Sequence, residues 1–378
     1  MDDLTMGPNA GPNADELAAL AESMADVLAA ECDRRKVHGF IDGKNDLEAQ
    51  LWARAKELGW FAVGLPDSAG GMGLGLRGLA VLHRELGRQA APGAFISTLS
   101  AAQTLAEFSD AVKFLPRLAE GQVAVCVPAT PTEPGKGLTL SGGKVSGGAS
   151  ELLGTPGAGL ALVAVQDGGS TAWALIEVDG KAAKLSERKL WDLTRHFCTL
   201  ECNGVTPALL VKGADAARLG RTLATHMGLA VCFDSIGAAD SILNQTMDYM
   251  KGRTQFDKII ASFQALKHRV ARLKVELELA RHASSQALQA VETGTPDCQA
   301  IVALSKVTVS EAFAAIAGDC VQLHGGVGHT WEFDCHIFLK RSRLNEALVG
   351  QNDKELDWMA ERMAEATRAG RSILELPL

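Results

Sequence analysis

A block of short segments rich in β-forming residues lies between two helical regions of this 378-residue chain. Within residues 121–213, runs such as "QVAVCVPAT", "LALVAVQ" and "TAWALIEV" alternate with turns of Gly, Pro and Asp. This spacing is typical of an antiparallel β unit, either a small barrel or a sandwich. The order predicts an α+β fold, mostly α, with a helical domain at 1–119, a β domain at 120–213 and a helical bundle at 214–378.

The two flanking regions carry apolar residues at helical spacing. In "DELAALAESMADVLAAECDRR", five apolar side chains fall on one face of a helix: Leu17, Leu20, Met24, Val27 and Leu28. After residue 214, the segments around "THMGLAVCFDSIGAADSILNQTMDYM", "FQALKHRVARLKVELELARH" and "CQAIVALSKVTVSEAFAAIAGDCVQL" are each long enough to pack as one helix of a bundle. We therefore expect the C-terminal region to be a helical bundle.

The composition excludes several classes of function. A formal net charge of −8 argues against nucleic acid as the main partner, because duplex binding needs basic patches that neutralise phosphates. No uninterrupted apolar segment reaches the length that spans a bilayer. The N-terminal "MDDLTMGPNAGPNADE" is interpreted as a frayed leader, since it lacks the basic start and apolar core of a signal peptide. Eight cysteines without a CxxC pair indicate buried thiols in a reducing compartment, and the expected location is the cytoplasm.

Two short motifs have simple structural interpretations. Gly73, Gly75 and Gly78 form a literal G-x-G-x-x-G. This motif lies between two helical segments and has no acidic residue about twenty positions later, so we interpret it as a loop and not as a dinucleotide site. Cys198 and Cys202 are four positions apart without a second pair of ligands, and we expect no metal site.

Three motifs in the C-terminal region carry a resemblance to a known family. "GRTQFDK" at 252–258 lies between the first two long helical segments, "QLHGGVG" at 322–328 ends the third, and "WEFDCHIFLKRSR" follows at 331–343. Together with the order of helices, strands and bundle, these motifs resemble the acyl-CoA dehydrogenase family over nearly the whole chain. The resemblance implies an N-terminal helical domain, a middle β domain and a C-terminal four-helix bundle.

The resemblance also implies a reaction and a shared cofactor. Members of the family convert an acyl-CoA thioester into a trans-2-enoyl-CoA: a carboxylate removes the α-proton while the β-hydrogen leaves as hydride to FAD. Each FAD lies between two subunits, of which one holds the flavin ring and the other holds the pyrophosphate and adenine. The implied partners are therefore an acyl-CoA substrate, a second subunit of the same family and an electron-transfer flavoprotein.

Half of this shared cofactor site is present in the sequence. The residues carried over come from the R-x-x-F turn, the helix that follows it and the Q-x-x-G-G loop: Arg253, Gln255, Phe256, Gln264, Leu266, Gln322, Gly325 and Gly326. Arg253 would pair with the pyrophosphate through a charge-assisted contact, and Phe256 would pack near the adenosine. The two glycines would let FAD approach the backbone closely. The simpler alternatives are a solvated or helix-capping arginine and a helix stop at the glycine pair.

The other half of the site is missing. Where the family has a T-E-P-x-A-G-S-D loop, only "TEP" at 132–134 remains. Ser146 and Gly148 stand where an aromatic residue and a hydroxyl would meet the flavin ring. The two positions at which family members place the catalytic base fall on Val349 and Met227, neither of which accepts a proton. The resemblance therefore implies no catalytic residue in this chain.

Two nearby acids could replace the missing base. Glu346 lies about one helical turn before Val349, and Asp234 lies on the first bundle helix. A displacement of one turn is about 5 Å, too far for a group that must come within hydrogen-bond distance of its proton. The alternative is a solvated or ion-paired carboxylate beside one of the nearby cations: Lys340, Arg341 and Arg343.

The chain as a whole resembles the smaller, base-less subunit of the heterotetrameric (α2β2) acyl-CoA dehydrogenases of bacteria that degrade sterol and bile-acid side chains. Its partner would supply the base and the flavin-ring site. Two alternatives stay open: an active homotetramer with Glu346 or Asp234 as the base, and a non-enzymatic acyl-CoA-binding or scaffold protein. Three histidines near the third motif are open either to a catalytic role or to loop packing and capping: His324, His329 and His336.

Overall fold

The computed structural model describes residues 12–133 and 136–370. The leader segment up to residue 11 and Pro134 of the "TEP" sequence lie outside the described residues. Helices follow one another in the N-terminal region: α1 (Ala14–Glu31), α2 (Arg34–Ile41), α3 (Leu47–Glu57), α4 (Gly75–Arg88), α5 (Phe95–Ala106) and α6 (Leu115–Ala119). The expected loop is present at Gly73, whereas Gly75 and Gly78 belong to the first turn of α4.

The sequence determines where α1 begins and which face it buries. The side chain of Asn13 accepts a hydrogen bond from the backbone N–H of Glu16 at 2.8 Å, and the Glu16 carboxylate accepts one from the backbone N–H of Asn13 at 3.0 Å. This reciprocal pair is a capping box, which satisfies two of the free N–H groups at the helix start. The five residues predicted to share a face are buried or packed against one core: Leu17, Leu20, Met24, Val27 and Leu28.

Within the described residues, the middle region forms an eight-stranded sheet. Its strands are β1 (Val125–Pro128), β2 (Leu138–Ser141), β3 (Lys144–Leu153), β4 (Leu160–Asp167), β5 (Ser170–Glu177), β6 (Ala183–Arg188), β7 (Phe197–Val205) and β8 (Leu209–Val211). The order is β6–β7–β3–β1–β4–β5–β8, and β2 pairs with β3 and β4. Most pairs are antiparallel as predicted, but β1–β4 and β2–β4 are parallel. Residue alternation indicates the face of a strand and not the direction of its neighbour, so the sequence gives no sign of these two pairs.

Long helices form the C-terminal bundle: α7 (Ala214–Gly252), α8 (Gln264–Glu292), α9 (Cys298–His324), α10 (Cys335–Ala347) and α11 (Asn352–Arg368). A short hairpin, β9 (Thr254–Gln255) and β10 (Lys258–Ile259), connects α7 to α8. Contrary to the expectation that no segment is long enough, Cys298–His329 could cross a membrane by length and composition alone. About two thirds of its most apolar window is buried inside the fold, because α9 packs against both α7 and α8.

Two glycines allow α4 and α7 to cross at backbone contact. A Cβ atom on Gly87 would lie 2.1 Å from the carbonyl oxygen of Asp234, and one on Gly237 would lie 1.9 Å from that of Arg84. No side chain fits at these distances, so the two helices reach this separation only because both residues are glycine. The contact fixes α7 against the N-terminal helices and buries Asp234 at the centre of the molecule.

Candidate functional site

The C-terminal ends of α7 and α9 and the N-terminal end of α8 meet at one end of the bundle. The ring of Tyr249, near the end of α7, stacks on that of His324, the last residue of α9, with 4.3 Å between centroids. Arg269, in the second turn of α8, binds Asp319 of α9 through two charge-assisted hydrogen bonds, and the one from Nε measures 2.8 Å. These contacts place the R-x-x-F turn and the Q-x-x-G-G loop on the same surface.

We call this surface, residues 253–266 and 322–326, the bundle end. Its hairpin turns at Phe256 and Asp257, whose φ angles are +53° and +60°. Such a type I′ turn favours Gly and Asn, because a side chain disfavours positive φ. Phe256 is 88% exposed, and its ring lies edge-on to that of Phe263 with 6.4 Å between the centroids. Neither backbone preference nor packing within the chain accounts for a phenylalanine here.

Arg253 ends α7 and leaves its guanidinium free. Its backbone N–H donates to the carbonyl of Tyr249 at 3.0 Å, and its own carbonyl accepts from the backbone N–H of Ile260 at 2.8 Å. The exposed side chain has no hydrogen-bond or ion-pair partner among the described residues. Arg253 therefore caps the helix through its backbone, while its guanidinium is available to an anion from outside the chain.

The two glycines that follow α9 differ in whether the backbone conformation requires a glycine. Gly325 has a φ of +66° and a ψ of −145°, a conformation open essentially to glycine alone, and it ends α9. Gly326 lies outside the positive φ range, and a Cβ atom there would meet no atom within 4 Å. A helix stop therefore accounts for Gly325 and leaves Gly326 unexplained by contacts within the chain.

The remaining members of the predicted set lie at the bundle end with different exposure. Gln264, the first residue of α8, and Gln322, in the last turn of α9, are exposed. The side chain of Gln255 donates from Nε2 to the carbonyl of Thr254 at 2.8 Å. Leu266 is half-buried and packs against the main core. The two exposed glutamines are therefore more accessible to a bound molecule than Leu266 is.

At the centre of the molecule, two arginines and an asparagine are hydrogen-bonded to one carboxylate. We call these residues the central charge cluster: Arg195, Asp234, Arg341 and Asn345. Asp234 accepts hydrogen bonds from Arg195 Nη2 at 2.6 Å and from Arg341 Nη2 at 2.5 Å. Asn345 donates a third from Nδ2 at 3.0 Å. Burial alone would raise the pKa of Asp234, but the two guanidinium groups outweigh it and hold that pKa well below its usual range. A general base at neutral pH needs the opposite shift, so this carboxylate is a poor proton acceptor.

Little space surrounds the central charge cluster. The cavity that it borders with α4 and α5 has a volume of about 10 Å³, which is the room that one water molecule needs. His83 lines this cavity, and burial lowers the pKa of its imidazole to about 4, so the ring is neutral at pH 7. A second cavity beside His83 measures about 20 Å³. Neither cavity has room for an acyl chain or a flavin ring.

Both positions at which the family places its catalytic base are apolar and belong to one buried cluster. Met227 is fully buried, and Val349 packs against the same cluster. The φ angle of Val349 is +68°, which is costly for a β-branched residue. Its backbone N–H donates to the carbonyl of Ala129 at 2.7 Å, which helps to hold that conformation. Neither side chain can accept a proton.

A buried lysine, which sequence reasoning missed, fixes the loop that carries Val349. Lys306 donates from Nζ to the carbonyl oxygens of Glu346 at 2.8 Å and Gly350 at 2.5 Å, and to Oδ1 of Asn352 at 2.9 Å. Burial lowers the pKa of Lys306 to about 8. The available signal was a single cation inside the apolar α9 segment, since a lysine is rarely buried without specific partners.

Glu346, the other candidate for a relocated base, is also paired. Its carboxylate lies 2.8 Å from the guanidinium of Arg343. Asp234 is paired with Arg341 in the central charge cluster. The ion-pair interpretation of both acids is therefore confirmed.

The residues at the positions that would contact a flavin ring form hydrogen bonds in the sheet region instead. The hydroxyl of Ser146 accepts a hydrogen bond from the backbone N–H of Gly204 at 3.0 Å. The backbone N–H of Gly148 donates to the carbonyl of Gly137 at 3.2 Å, and a Cβ atom on Gly137 would lie 1.9 Å from the Gly148 carbonyl oxygen. Because Gly148 has no side chain and Ser146 is bonded within the sheet, these residues do not fit a flavin ring.

The histidines of the third motif region contribute packing. His324 stacks on Tyr249 and is buried. His336 packs edge-on against Trp331 with 4.5 Å between centroids, and burial lowers its pKa to about 4. The packing interpretation is thus confirmed for these two residues, while His329 is exposed.

Comparison with known proteins identifies related folds along nearly the whole chain. The Tcur3481–Tcur3483 steroid ACAD variant has a TM-score of 0.84 and 24% identity, and the likeness covers 94% of this chain and 99% of that one. The ChsE4–ChsE5 complex from Mycobacterium tuberculosis has a TM-score of 0.84 and 22% identity, over 96% of this chain and 99% of that one. At this identity the two likenesses show the fold, and the predicted helix–sheet–bundle architecture is confirmed.

Sequence comparison indicates the family. Acyl-CoA dehydrogenase IpdE2 of Mycobacterium tuberculosis is 28% identical over 338 residues, which cover 89% of this chain and 93% of that protein. The family model for the acyl-CoA dehydrogenase N-terminal domain matches residues 14–122, and the model for the C-terminal domain matches residues 219–364. Between them the two models span about two thirds of the sequence, and the chain belongs to the acyl-CoA dehydrogenase family.

Proposed function

We propose that this chain is a subunit of a hetero-oligomeric acyl-CoA dehydrogenase, in which it completes the FAD site of a second family member. FAD, when bound, accepts the β-hydrogen of the acyl-CoA thioester as hydride. This chain contributes cofactor-binding groups and no catalytic base. The observation that carries the proposal is the contrast between Arg253, which is exposed without a side-chain partner among the described residues, and the apolar residues at the two base positions, the buried Met227 and the half-buried Val349.

The bundle end has the groups that a dinucleotide requires. The guanidinium of Arg253 can bind phosphate oxygens through paired, charge-assisted hydrogen bonds. Gly326 leaves the backbone open to a close approach, and the exposed ring of Phe256 offers an aromatic surface. These features fit the pyrophosphate and adenosine portion of FAD. The residues that we assign to this portion are Arg253, Gln255, Phe256, Gln264, Leu266, Gln322, Gly325 and Gly326.

An active homotetramer would need Asp234 or Glu346 as its base, and the geometry disfavours both. Asp234 is buried among two arginines and an asparagine, and Glu346 is paired with Arg343. In the complex, Glu346→Gln should leave turnover within a few-fold of the unchanged enzyme. Loss of a true general base typically costs about 10²–10⁴ in rate, so an effect of that size would identify Glu346 as a base and contradict the base-less role of this chain.

The outer face of α8 offers a surface for the second subunit. Val275 and Leu279, one turn apart, are each 59% exposed. Exposed Ala271 extends this face by one further turn. Contiguous exposed apolar side chains are typical of an interface between subunits. An α2β2 assembly with another family member is further supported by the likeness to ChsE4–ChsE5, which is itself a complex.

The substrate and the remaining partners rest on the relatives. The likeness to a steroid ACAD supports a bulky, sterol-derived acyl-CoA as the substrate of the complex. An electron-transfer flavoprotein would reoxidise the flavin, and the complex would act in the cytoplasm. These assignments rest on family membership and on the likeness to the relatives.

The decisive experiment measures flavin absorbance per protein, followed by anaerobic bleaching with a sterol side-chain acyl-CoA. We expect the chain purified alone to be colourless and inactive. Co-expressed with its partner, it should give a complex with about one FAD per heterodimer that bleaches on addition of the thioester. If the isolated chain binds FAD one-to-one and bleaches, the proposal is wrong.

A further inference from the structure

A groove distant from the bundle end lies between α1, α4, α7 and α8. Its volume is about 720 Å³, within the range of about 300–1,000 Å³ that is usual for small-molecule sites. The α8 residues that line it fall between 274 and 285. At 1.5 Å per residue, they lie about 15–30 Å along the helix from Gln264, so the groove is separate from the surface proposed for FAD.

One wall of the groove consists of small and apolar side chains. On α1, Ala14, Ala18 and Ala21 recur at helical spacing and leave open the space that larger side chains would occupy. Val81 of α4 and Phe233 of α7 also line the groove. A hydrocarbon chain or ring system could bury apolar surface against this wall.

Cationic side chains line the rest of the groove, and they outnumber the carboxylates that pair with them. Asp240 accepts hydrogen bonds from Arg88 Nη1 and from Arg281 Nη2, both at 2.9 Å. The same carboxylate lies 3.7 Å from Nζ of Lys274. One buried aspartate therefore serves three cationic side chains.

Two further carboxylates only partly balance this charge. Glu85 lies beneath the groove and pairs with Arg84 at 2.9 Å and with Arg88 at 3.0 Å. Glu278 Oε1 lies 3.7 Å from Arg281 Nε, which is beyond hydrogen-bond distance. That Nε is buried and has no hydrogen-bond partner among the described residues. The groove thus combines an excess of positive charge with an unsatisfied donor, which is a costly arrangement unless an acceptor completes it.

We propose that this groove binds an amphipathic anion of the long-chain carboxylate class. The carboxylate would pair with the guanidinium of Arg281 and with the neighbouring cations that line the groove. The hydrocarbon portion would lie along the alanines of α1 and against Phe233. The proposal concerns a second site and does not depend on the role of the bundle end.

Isothermal titration of the full chain with oleate, below its micelle concentration, tests the site. We expect saturable one-to-one binding, and we expect oleyl alcohol, which has the same hydrocarbon without the charge, to bind at least about tenfold more weakly. Arg281→Gln should weaken oleate binding by about tenfold or more. Arg272→Gln is the matched control, because Arg272 is an exposed arginine of α8 outside the groove.

A second pair of variants tests the apolar wall. Ala18→Trp should fill the groove and remove most oleate binding, whereas Ala19→Trp, at an exposed position one residue further along α1, should not. Circular dichroism establishes that each variant is folded, and if Ala18→Trp is not, the Arg281 pair still decides. Equal affinities for oleate and oleyl alcohol would overturn the proposal. Loss of oleate binding when the partner subunit is added would show instead a protein-docking groove.

Discussion

The arginines of the bundle end and of the central charge cluster differ in their exposure and in their ion pairing. Arg253 is exposed, with no side-chain partner among the described residues. Arg195 and Arg341 are buried and paired with the same carboxylate, Asp234. A buried cation needs its anion for the fold to be stable, while an exposed cation contributes little to stability. The arginines of the centre therefore stabilise the fold, whereas the exposed guanidinium of Arg253 leaves room for the cofactor contact that we propose.

The two regions also differ in whether contacts offset the cost of a positive φ angle. Phe256 has a positive φ at the bundle end and is largely exposed, so packing against the described residues does little to offset the cost. Val349, near the centre, also has a positive φ. Its loop is held by Lys306 and by the hydrogen bond to Ala129, which do offset the cost. Unfavourable local structure without internal compensation is therefore found at the bundle end.

The largest effect is expected from Asp234→Ala, because it removes the carboxylate to which two buried guanidinium groups are hydrogen-bonded. Removing one partner of a buried ion pair costs about 3–5 kcal/mol of unfolding free energy. Urea denaturation of the full chain measures this loss. Arg253→Ala serves as the control and should change stability by no more than about 0.5 kcal/mol. Similar losses in the two variants would remove the distinction between the regions.

Acidification should destabilise the centre through His83. Burial lowers the pKa of His83 from 6.5 to about 4, so the unfolded chain binds a proton that the folded chain excludes between these values. Stability should therefore fall as the pH falls from about 6.5 to about 4, by on the order of 2–3 kcal/mol. The lowered pKa of Asp234 adds a further loss once the pH falls below the usual range of an aspartate.

The variant His83→Gln isolates this contribution, because glutamine does not titrate. Urea denaturation at several pH values between 7 and 4 should show a shallower decline for the variant than for the unchanged chain. An equally steep decline in both proteins would mean that other groups cause the acid sensitivity.

The sequence predicts most of the fold and only part of the site, for a physical reason. Helical periodicity along α1 and motifs at the bundle end are local patterns, and a local pattern is visible in a single sequence. The central charge cluster joins Asp234 to Arg195 and to Arg341, which are 39 and 107 positions away. Such pairs depend on how helices and sheet pack, which periodicity does not encode. The charge of Arg341 suggests an ion pair with Asp234, whereas no pattern in the sequence points to Arg195.

At the bundle end, Arg253→Ala should affect the cofactor and not the fold. Loss of a charge-assisted contact costs about 1.5–3 kcal/mol, or about 10- to 150-fold in affinity for FAD. Flavin retention by the purified complex during dilution measures this loss. Arg253→Lys should recover only part of it, since an ammonium cannot reproduce the paired hydrogen bonds of a guanidinium. Unchanged flavin content in both variants would exclude Arg253 from the site.

The smallest effects are expected at the two adjacent glycines. One substitution should change the stability of the fold, and the other should change only the retention of flavin. Gly325→Ala should destabilise the chain by about 1 kcal/mol or more, because alanine is strained at a φ of +66°. Gly326→Ala should leave the unfolding free energy of the isolated chain unchanged, since the added methyl group meets no atom within 4 Å. In the complex, however, Gly326→Ala should reduce flavin retention, because the methyl group would stand where the cofactor approaches the backbone. Normal flavin retention in Gly326→Ala would leave the second glycine without a role and would weaken the assignment of the whole loop to FAD.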